Sequence, residues 1–510
     1  MIKPMGLKKG DKVAIVSLSS GLLGEEKFIH KYYLGKKRLE EEFGLEVVAM
    51  PNTLKGIDFI SNHPELRAKD LMDAFLDPSI KGIICAIGGL DTIRIAPYID
   101  YEVIRNNPKI FMGYSDTTAN HFMMQKAGIV SYYGPCLMCD FAEYVSMFDY
   151  TKNAVKEVLF NGEENYEIKS SEYWCDDFIP WSEDNINKQR KLKKEEHGYE
   201  VIQGSGIVQG KLLGGCLDGF PMYVGTSIWP TLEDWKDKIL FLETSEDTPS
   251  PQYVECYLMN LGAQGVFNVV KGIIVGKPQN EKYYEEYKEV YKKVLKDFNK
   301  ENLPVLYNVN FGHAAPITVL PIGTEIEVDF DNKKIKLLES PIKKWGDNME
   351  YRLPTLYDKN IIDDYIEEYY QNDEQEISAS NMLTSMEYEK WIEKINNDAN
   401  IGDKEWSKSL TYLAIDNNKL IGLLSIRYDL PKRLVDLYGH IGYGVRPRER
   451  RKGYATKMLK YALLECKKLG MESVILGCYN DNIGSVKTIT NNGGLLIRKE
   501  ENRNYYEIKL

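Results

Sequence analysis

The sequence is poor in histidine and cysteine and has no excess of basic residues. It contains 6 histidines and 8 cysteines among 510 residues, and its acidic residues outnumber the basic ones to give a formal net charge of -11. A protein that binds nucleic acid non-specifically needs a basic face to neutralise phosphates, so this charge balance argues against that class. It does not exclude a nucleotide as a small substrate.

The sequence also lacks long apolar runs, internal repeats and low-complexity tracts. No window approaches the apolar length of a membrane span, and residues 1–10 contain lysines but no apolar core typical of a signal peptide. We therefore expect a cytoplasmic protein with reduced, mostly buried thiols. Cys136 and Cys139 form a CxxC pair without a second pair or a nearby histidine, which favours two core thiols over a zinc site. No metal is predicted.

Residues 1–160 alternate strand-like and helix-like segments. The apolar, strand-like runs are 12–19, 45–50, 82–87 and 109–114, and the amphipathic, helix-like segments are 25–43 and 64–76. This alternation predicts an α/β lobe in which helices cover a parallel sheet, with chemistry at the carboxyl ends of the strands.

Residues 161–203 interrupt the alternation with a polar stretch that is rich in aromatic residues. Strand-like runs resume at 206–213, 238–242, 269–275 and 305–309, followed by a hairpin over 325–338 that turns through Asp331 and Asn332. These segments predict a β-rich second lobe. Residues 341–348 are typical of a domain boundary.

Residues 349–510 have an α+β pattern that is separate from the first part. The predicted strands are 410–416, 419–428, 440–445 and 473–478, with a turn at Asn417-Asn418 and a helix over 454–469. The predicted domains are therefore 1–165, 166–345 and 349–510.

Three separated segments of the first two domains carry residues suited to nucleophilic catalysis. Ser115 lies where a strand gives way to a helix, two residues after Gly113, although Thr117 stands where the usual nucleophile turn has a second glycine. An N-capping serine is an equally good interpretation of this motif alone. Glu243 ends a strand and His313 follows another, and taken singly they are typical of a solvated acid and a loop histidine. Together the three supply a nucleophile, an orienting carboxylate and a general base.

The segments that surround these residues are recognisable as a set. They read SNHPELRA at 61–68, AIGG at 86–89, PYID at 97–100 and GYSD at 113–116. This set resembles the LD-carboxypeptidase superfamily of serine peptidases and, within it, the branch that gives self-immunity to microcin C. The resemblance covers roughly residues 1 to 340. It implies Ser115 as nucleophile, Glu243 as orienting acid and His313 as general base. It further implies an oxyanion hole formed by the backbone amides of Gly89 and Asp116, and a homodimer.

The resemblance also bears on the substrate. The microcin-immunity branch hydrolyses the amide between a peptide's terminal aspartyl group and a nucleotide, and it carries a loop whose Trp stacks on the base. Here Trp181 fits that position, and a role in pinning the loop to the body is the alternative. Gly88 is the further predicted substrate contact. Cys216 stands where the family usually has Asn, so the substrate contact expected at Cys216 is in doubt.

A basic, glycine-containing loop in the last domain has the features of an anion site. The segments HIGYGVRP at 440–447, RRKGYA at 450–455, NDNIGS at 480–485 and NGG at 492–494 resemble GNAT acetyltransferases. The resemblance implies acetyl-CoA as cofactor and transfer of its acetyl group to an amine. The predicted acetyl-CoA contacts are Val445, Arg450, Arg451, Lys452, Gly453, Tyr454, Ala455, Asn482 and Ser485. The general acid is unassigned, and His440 is either a proton relay or a structural histidine.

These resemblances predict an enzyme with two activities on one class of small molecule. The hydrolase would cut the amide between a peptidyl or aminoacyl group and a nucleotide, and the acetyltransferase would acetylate the amine of the processed aminoacyl-nucleotide. The alternatives are a muropeptide LD-carboxypeptidase fused to an unrelated acetyltransferase, and a non-catalytic binder of nucleotide-peptides. Protein N-termini and polyamines are further candidate acetyl acceptors.

Overall fold

The chain folds into two compact units. The computed structural model describes residues 1–344, 349–402, 408–416, 419–431, 433, 435 and 439–510. The units are Met1–Lys343 and Lys344–Leu510, so the division falls inside the stretch 341–348 predicted as a boundary. The turn predicted at Asn417-Asn418 lies outside the described residues.

The first unit begins with a six-stranded sheet. Its strands are, in spatial order, Leu320–Ile322, Ser131–Tyr133, Ile110–Gly113, Ile80–Cys85, Lys12–Val16 and Glu46–Ala49. The five strands from the first part of the chain are parallel, as the alternating sequence predicted, and Leu320–Ile322 pairs antiparallel with Ser131–Tyr133. Helices cover both faces, so residues 13–16 are all buried.

An eight-stranded sheet forms the rest of the first unit. Its strands are Glu167–Ile168, Lys334–Leu337, Glu325–Asp329, Ile207–Cys216, Lys238–Glu243, Gly272–Gly276, Val305–Val309 and Glu200–Gln203. The predicted hairpin is confirmed as two antiparallel strands. The four strands from Ile207–Cys216 to Val305–Val309 are parallel, so the β-rich lobe has an α/β centre of its own. A two-stranded ribbon, Tyr173–Trp174 with Lys193–Lys194, lies in the aromatic segment.

The helices of the first unit connect these strands. They are Ile29–Phe43, Ile57–Asn62, Pro64–Leu76, Tyr101–Asn106, Thr118–Ala127, Asp149–Val155, Phe220–Tyr223, Leu232–Trp235, Pro251–Ala263, Val266–Val269 and Tyr284–Asp297. Pro64–Leu76 has the predicted bounds and starts with a proline, whose missing N–H costs nothing at a helix start. The helix predicted from residue 25 instead starts at Ile29, because short 3-10 turns occupy Leu22–Gly24 and Glu26–Phe28.

The second unit has two sheets that share one junction. Glu350–Arg352, Lys408–Asp416, Lys419–Tyr428 and Ile441–Val445 form the first, and Ser473–Tyr479, Arg503–Lys509 and Leu495–Lys499 form the second. The backbone N–H of His440 donates to the carbonyl of Ile475 at 2.7 Å, so the sheets meet just before Ile441–Val445 begins. The helices whose bounds the structure describes are Lys359–Gln371, Tyr388–Asn400, Tyr454–Lys468 and Ile483–Asn491. Among the described residues of both units, none of the helices combines the length and apolarity needed to cross a bilayer.

Candidate active sites

Ser115 sits on a strained turn between a strand and a helix. Its φ of 65° is unusual for a residue with a side chain, and such strain concentrates at functional sites. A Cβ added to Gly113 would lie 2.9 Å from both Cys85 Cβ and Thr117 Oγ1, so the turn requires a glycine there. The N-cap residue of the helix Thr118–Ala127 is Thr117, so Ser115 does not hold the capping position.

The residue after the serine fixes this turn. The buried carboxylate of Asp116 accepts hydrogen bonds from Ser19 Oγ at 2.5 Å, the backbone N–H of Thr92 at 2.9 Å and Tyr223 OH at 2.6 Å. Three donors from three different segments hold the Asp116 side chain in one position. The turn that carries Ser115 is therefore rigidly placed.

Glu243 and His313 form a hydrogen-bonded pair. Glu243 ends the strand Lys238–Glu243, and its Oε2 lies 2.7 Å from His313 Nδ1. A Cβ on Gly312, whose φ is +91°, would lie 2.5 Å from that same oxygen, so only glycine allows the close approach. Tyr133 OH donates to Glu243 Oε1, and the Tyr133 oxygen accepts the backbone N–H of Ser115 at 3.1 Å. A continuous network therefore joins the three predicted catalytic residues.

The second ring nitrogen of His313 contacts a carboxylate that the sequence reasoning did not single out. His313 Nε2 lies 3.0 Å from Glu246 Oε2. This hydrogen bond lowers the pKa of Glu246 to about 2. Burial acts to lower the pKa of His313, but the charges and hydrogen bonds of Glu243 and Glu246 outweigh it and raise that pKa well above its usual value. The only sequence signal for Glu246 is its place three residues after Glu243.

This arrangement predicts a distinctive pH dependence of hydrolysis. A general base must be unprotonated, so activity should rise with pH through the elevated pKa of His313 and be lost below it. Replacing Glu246 with Gln removes one of the charges that raise the pKa of His313. We therefore expect the acidic limb of the profile of kcat/KM against pH to move to lower pH. Profiles of wild type, Glu246→Gln and the exposed-surface control Glu289→Gln would test this. An unchanged acidic limb in Glu246→Gln would contradict the role of His313 as the general base whose pKa Glu246 raises.

One pocket contains both the serine and the histidine. Its lining includes Gly88, Gly89, Ser115, His313, Trp181, Phe178, Lys31, Arg190 and Glu246. A Cβ on Gly88 would lie 2.7 Å from Ser115 Cβ, so this glycine lets the 88–89 backbone approach the serine. This is the place where the predicted oxyanion amides, those of Gly89 and Asp116, would be needed. The assignment of these amides stays a prediction.

The other two predicted substrate contacts differ in position. Trp181 lines the pocket, with its ring 6.1 Å from Phe28 and 5.0 Å from the ammonium of Lys31. Cys216 is buried behind the pocket wall, where its Sγ lies within 4.8 Å of ligand atoms of Glu243 and His313. A thiol, a carboxylate and an imidazole could together bind a metal ion. Here, however, Glu243 Oε2 and His313 Nδ1 are already hydrogen-bonded to each other. The contact between Cys216 and substrate stays a prediction.

In the second unit the predicted acetyl-CoA loop leads into a helix. Gly453 caps the 15-residue helix Tyr454–Lys468 with a φ of +81°, and a Cβ there would meet nothing within 4 Å. This open helix start leaves backbone N–H groups able to receive a pyrophosphate. The Arg450 guanidinium makes two 2.6 Å hydrogen bonds to the Glu374 carboxylate, which directs its charge at that carboxylate. The backbone of the loop therefore fits the cofactor better than the Arg450 side chain does.

Asn482 and Ser485 lie together at the start of the next helix. Asn482 Oδ1 accepts the backbone N–H of Ser485 at 3.0 Å, and Tyr443 OH lies 3.4 Å from Ser485 Oγ. His440 Nδ1 accepts the backbone N–H of Ile475 at 2.9 Å, and burial lowers the pKa of His440. A neutral ring tied to the sheet junction favours the structural role for His440.

Comparison with known families agrees with this geometry. The LD-carboxypeptidase N-terminal domain matches residues 13–134, the LD-carboxypeptidase C-terminal domain matches 209–328, and the acetyltransferase (GNAT) family matches 375–493. The chain belongs to the LD-carboxypeptidase family of serine peptidases and carries a C-terminal GNAT acetyltransferase domain, which implies the use of acetyl-CoA. It is thus an enzyme with a hydrolase unit and an acetyltransferase unit.

Several individual relatives and solved structures are similar to the first unit. The microcin C7 self-immunity protein MccF of Escherichia coli is 30% identical over 335 residues, which cover 65% of this chain and 94% of MccF. The MccF-like protein from Streptococcus pneumoniae, solved in complex with AMP, is 38% identical with a TM-score of 0.60, covering 64% of this chain and 98% of that one. MccF in complex with aspartyl sulfamoyl adenosine is 30% identical with a TM-score of 0.60, covering 67% and 100%.

Proposed function

We propose that the first unit hydrolyses the amide between an aminoacyl or peptidyl group and a nucleotide, and that the second unit acetylates the amine of the processed aminoacyl-nucleotide. Both reactions would inactivate a microcin C-like compound in the cytoplasm. The observation that carries the proposal is the placement of Trp181 and Phe178 in the pocket that contains Ser115 and His313. The relatives solved with AMP and with aspartyl sulfamoyl adenosine support it.

The proposed hydrolysis uses the three side chains in sequence. Ser115 Oγ attacks the scissile carbonyl carbon while its proton passes to His313 Nε2, and Glu243 holds the ring with Nδ1–H facing the carboxylate. The backbone amides of Gly89 and Asp116 would stabilise the oxyanion. His313 then protonates the leaving nitrogen as the carbon–nitrogen bond breaks. Water, activated by the same histidine, releases the acyl group from Ser115.

The test of the proposal is direct. Purified protein is incubated with an aminoacyl sulfamoyl adenosine, and release of sulfamoyl adenosine is followed by mass spectrometry. We expect hydrolysis by the wild type. Intact substrate after prolonged incubation would overturn the proposal.

The aromatic wall gives a second expectation. Stacking of a base on Trp181 contributes on the order of 1–3 kcal/mol, so Trp181→Ala should raise KM for the nucleotide substrate about 5- to 150-fold with kcat less affected. Phe28→Ala is a matched control, because it removes the aromatic neighbour of Trp181 but leaves the indole in place. An unchanged KM in Trp181→Ala would mean that the indole only anchors its loop.

Muropeptide LD-carboxypeptidase activity is the second candidate, favoured by the family to which residues 13–134 and 209–328 match. A tetrapeptide with a terminal D-Ala would be the substrate. Trp181→Ala should spare that reaction, since such a peptide has no base to stack. Cleavage of the tetrapeptide without cleavage of the nucleotide substrate would select this alternative.

For the second unit, acetyl-CoA would supply the acetyl group as a thioester, and the 451–455 backbone would bind its pyrophosphate. Gly453→Asp should raise KM for acetyl-CoA about 10- to 100-fold, because it places a negative charge at the anion site and a side chain at positive φ. Gly470→Asp is the control, since Gly470 has a φ of +79° and equally open surroundings. Equal KM values in the two variants would contradict the assignment. A panel of amines, with acetyl-CoA consumption as the readout, would identify the acceptor.

We also propose an oligomeric state for this protein. The family resemblance favours a homodimer built on the hydrolase unit. Sedimentation of the purified chain would test it.

A further inference from the structure

Cys216 adds a third metal-binding group to the pair formed by Glu243 and His313. Its Sγ, a carboxylate oxygen of Glu243 and a ring nitrogen of His313 all lie within 4.8 Å of one another. Cys216 and Glu243 are buried and face each other in register at the ends of two neighbouring parallel strands, Ile207–Cys216 and Lys238–Glu243. The cluster is therefore built on rigid elements of the sheet.

The three donor groups match zinc in their chemistry and nearly match it in their spacing. Thiolate, imidazole and carboxylate are the ligands that Zn²⁺ takes in proteins, whereas Mg²⁺ and Ca²⁺ prefer oxygen ligands. Bonds of about 2.0–2.3 Å to a tetrahedral ion place neighbouring ligand atoms about 3.3–3.5 Å apart. Glu243 Oε2 and His313 Nδ1 lie 2.7 Å apart, so these two atoms need to separate by only about half an ångström to bind the ion.

The outer contacts of this cluster are of the kind that orient metal ligands. His313 Nε2 lies 3.0 Å from Glu246 Oε2, and Tyr133 OH donates to Glu243 Oε1. A metal-bound histidine almost always donates its other ring N–H to a carboxylate, a carbonyl or water, which fixes its tautomer and orientation. With Glu246 on Nε2 and Tyr133 on Oε1, the atoms left to bind an ion are His313 Nδ1 and Glu243 Oε2.

We infer that Cys216, Glu243 and His313 form a zinc-binding site, and that Zn²⁺ bound there inhibits the hydrolase unit. Coordination replaces the proton on His313 Nδ1 and the proton of the Cys216 thiol, and both protons leave to solvent. The ring then keeps its remaining proton on Nε2, facing Glu246, and cannot accept a proton from the serine. The inhibition rests on the proposed function, whereas binding of the ion does not.

Binding is tested on the full chain by titration calorimetry with Zn²⁺ and by absorption spectroscopy with Co²⁺. Cys216→Ser and His313→Gln should each weaken one Zn²⁺ site by at least about 100-fold, since loss of even an outer partner costs about 10- to 100-fold. Wild type with Co²⁺ should show the near-ultraviolet absorption of a cobalt–thiolate bond, and Cys216→Ser should lose it. Cys139→Ser is the matched control, because it removes a pocket thiol outside the cluster and should keep both signals.

Inhibition is tested by preincubating the protein with Zn²⁺ or Mg²⁺ and then measuring hydrolysis of the aminoacyl sulfamoyl adenosine probe. We expect Zn²⁺ to stop hydrolysis and a chelator to restore it, while Mg²⁺ at the same concentration has no effect. Each variant is compared with its own metal-free rate, and Cys216→Ser should need at least about 100-fold more Zn²⁺ for half-inhibition. A cooperative thermal transition without metal shows that a variant is folded.

No cobalt–thiolate absorption in the wild type, or equal Zn²⁺ affinity in wild type and Cys216→Ser, would overturn the inference whether or not the probe is hydrolysed. Equal inhibition of these two proteins by Zn²⁺ would also overturn it, because the ion would then bind His313 Nε2 and Glu246 instead. Failure of the metal-free wild type to cleave the probe would overturn the proposed function and the inhibition, and the titrations would still decide the zinc site.

Discussion

Ser115→Ala is expected to lower kcat for hydrolysis by about 10⁴- to 10⁶-fold, because the variant has no oxygen to form the acyl-enzyme. The residual rate would come from binding and the oxyanion amides alone. Hydrolysis is measured by mass spectrometry on the aminoacyl sulfamoyl adenosine probe. Acetyl-CoA consumption, which depends on the other compact unit, should be unchanged and reports on the integrity of the sample.

The control for this substitution is Ser227→Ala, at an exposed position outside the pocket. It should hydrolyse the probe at the wild-type rate. Comparable turnover by Ser115→Ala and wild type would show that another group is the nucleophile and would remove the basis of the proposed hydrolysis.

The second large effect is expected at Glu243. A Gln at this position lacks the charge that stabilises the imidazolium. Its side chain also ends in one oxygen and one NH₂ group, whereas Glu243 has two equivalent oxygens. The hydrogen bonds of Glu243 to Tyr133 and His313 determine how the Gln side chain is oriented. If the Gln oxygen accepts from Tyr133 OH, the Gln NH₂ group faces His313 Nδ1, and the ring proton of the neutral imidazole must then be on Nε2. That tautomer cannot accept the proton of Ser115. We expect Glu243→Gln to lower kcat by about 10³- to 10⁴-fold, with KM little changed.

A structural loss must be separated from this catalytic one, since Glu243 is 1% exposed. Thermal unfolding of Glu243→Gln should stay close to that of the wild type, because the volume and most hydrogen bonds are kept. A second variant, Tyr133→Phe with Glu243→Gln, frees the Gln oxygen for His313 Nδ1–H and should recover part of the activity. A near-normal kcat in Glu243→Gln alone would contradict the orienting role.

The two units together suggest why a detoxifying enzyme would carry both activities. Hydrolysis separates the acyl group from the nucleotide, whereas acetylation neutralises the ammonium and leaves the acyl link intact. Each proposed reaction removes a different feature that an aminoacyl-nucleotide presents to a protein. Ser115→Ala, which impairs hydrolysis, and Gly453→Asp, which weakens the use of acetyl-CoA, would show which route dominates in a cell challenged with such a compound.

Local sequence predicted much of the fold. The strands Val305–Val309 and Lys419–Tyr428 and the helix Pro64–Leu76 have the predicted bounds, because their apolar spacing and end residues are local signals. The strand Leu320–Ile322 was missed. It has only three residues, too few for a period, and its partner Ser131–Tyr133 is distant in the chain. Its place at the edge of the first sheet comes from long-range pairing.

The amino-acid sequence by itself determined the two-enzyme organisation and singled out Ser115, Glu243 and His313 as the proposed catalytic residues, because these follow from motifs and from the ends of recognisable strands. Only the tertiary structure decided what those residues contact. The links from Tyr133 to Glu243 and from Glu246 to His313 join segments about 110 and 67 residues apart, across 133–243 and 246–313. Such contacts leave no local pattern, since they depend on how whole strands pack. Those with Glu243 and Glu246 raise the pKa of His313, the proposed catalytic base.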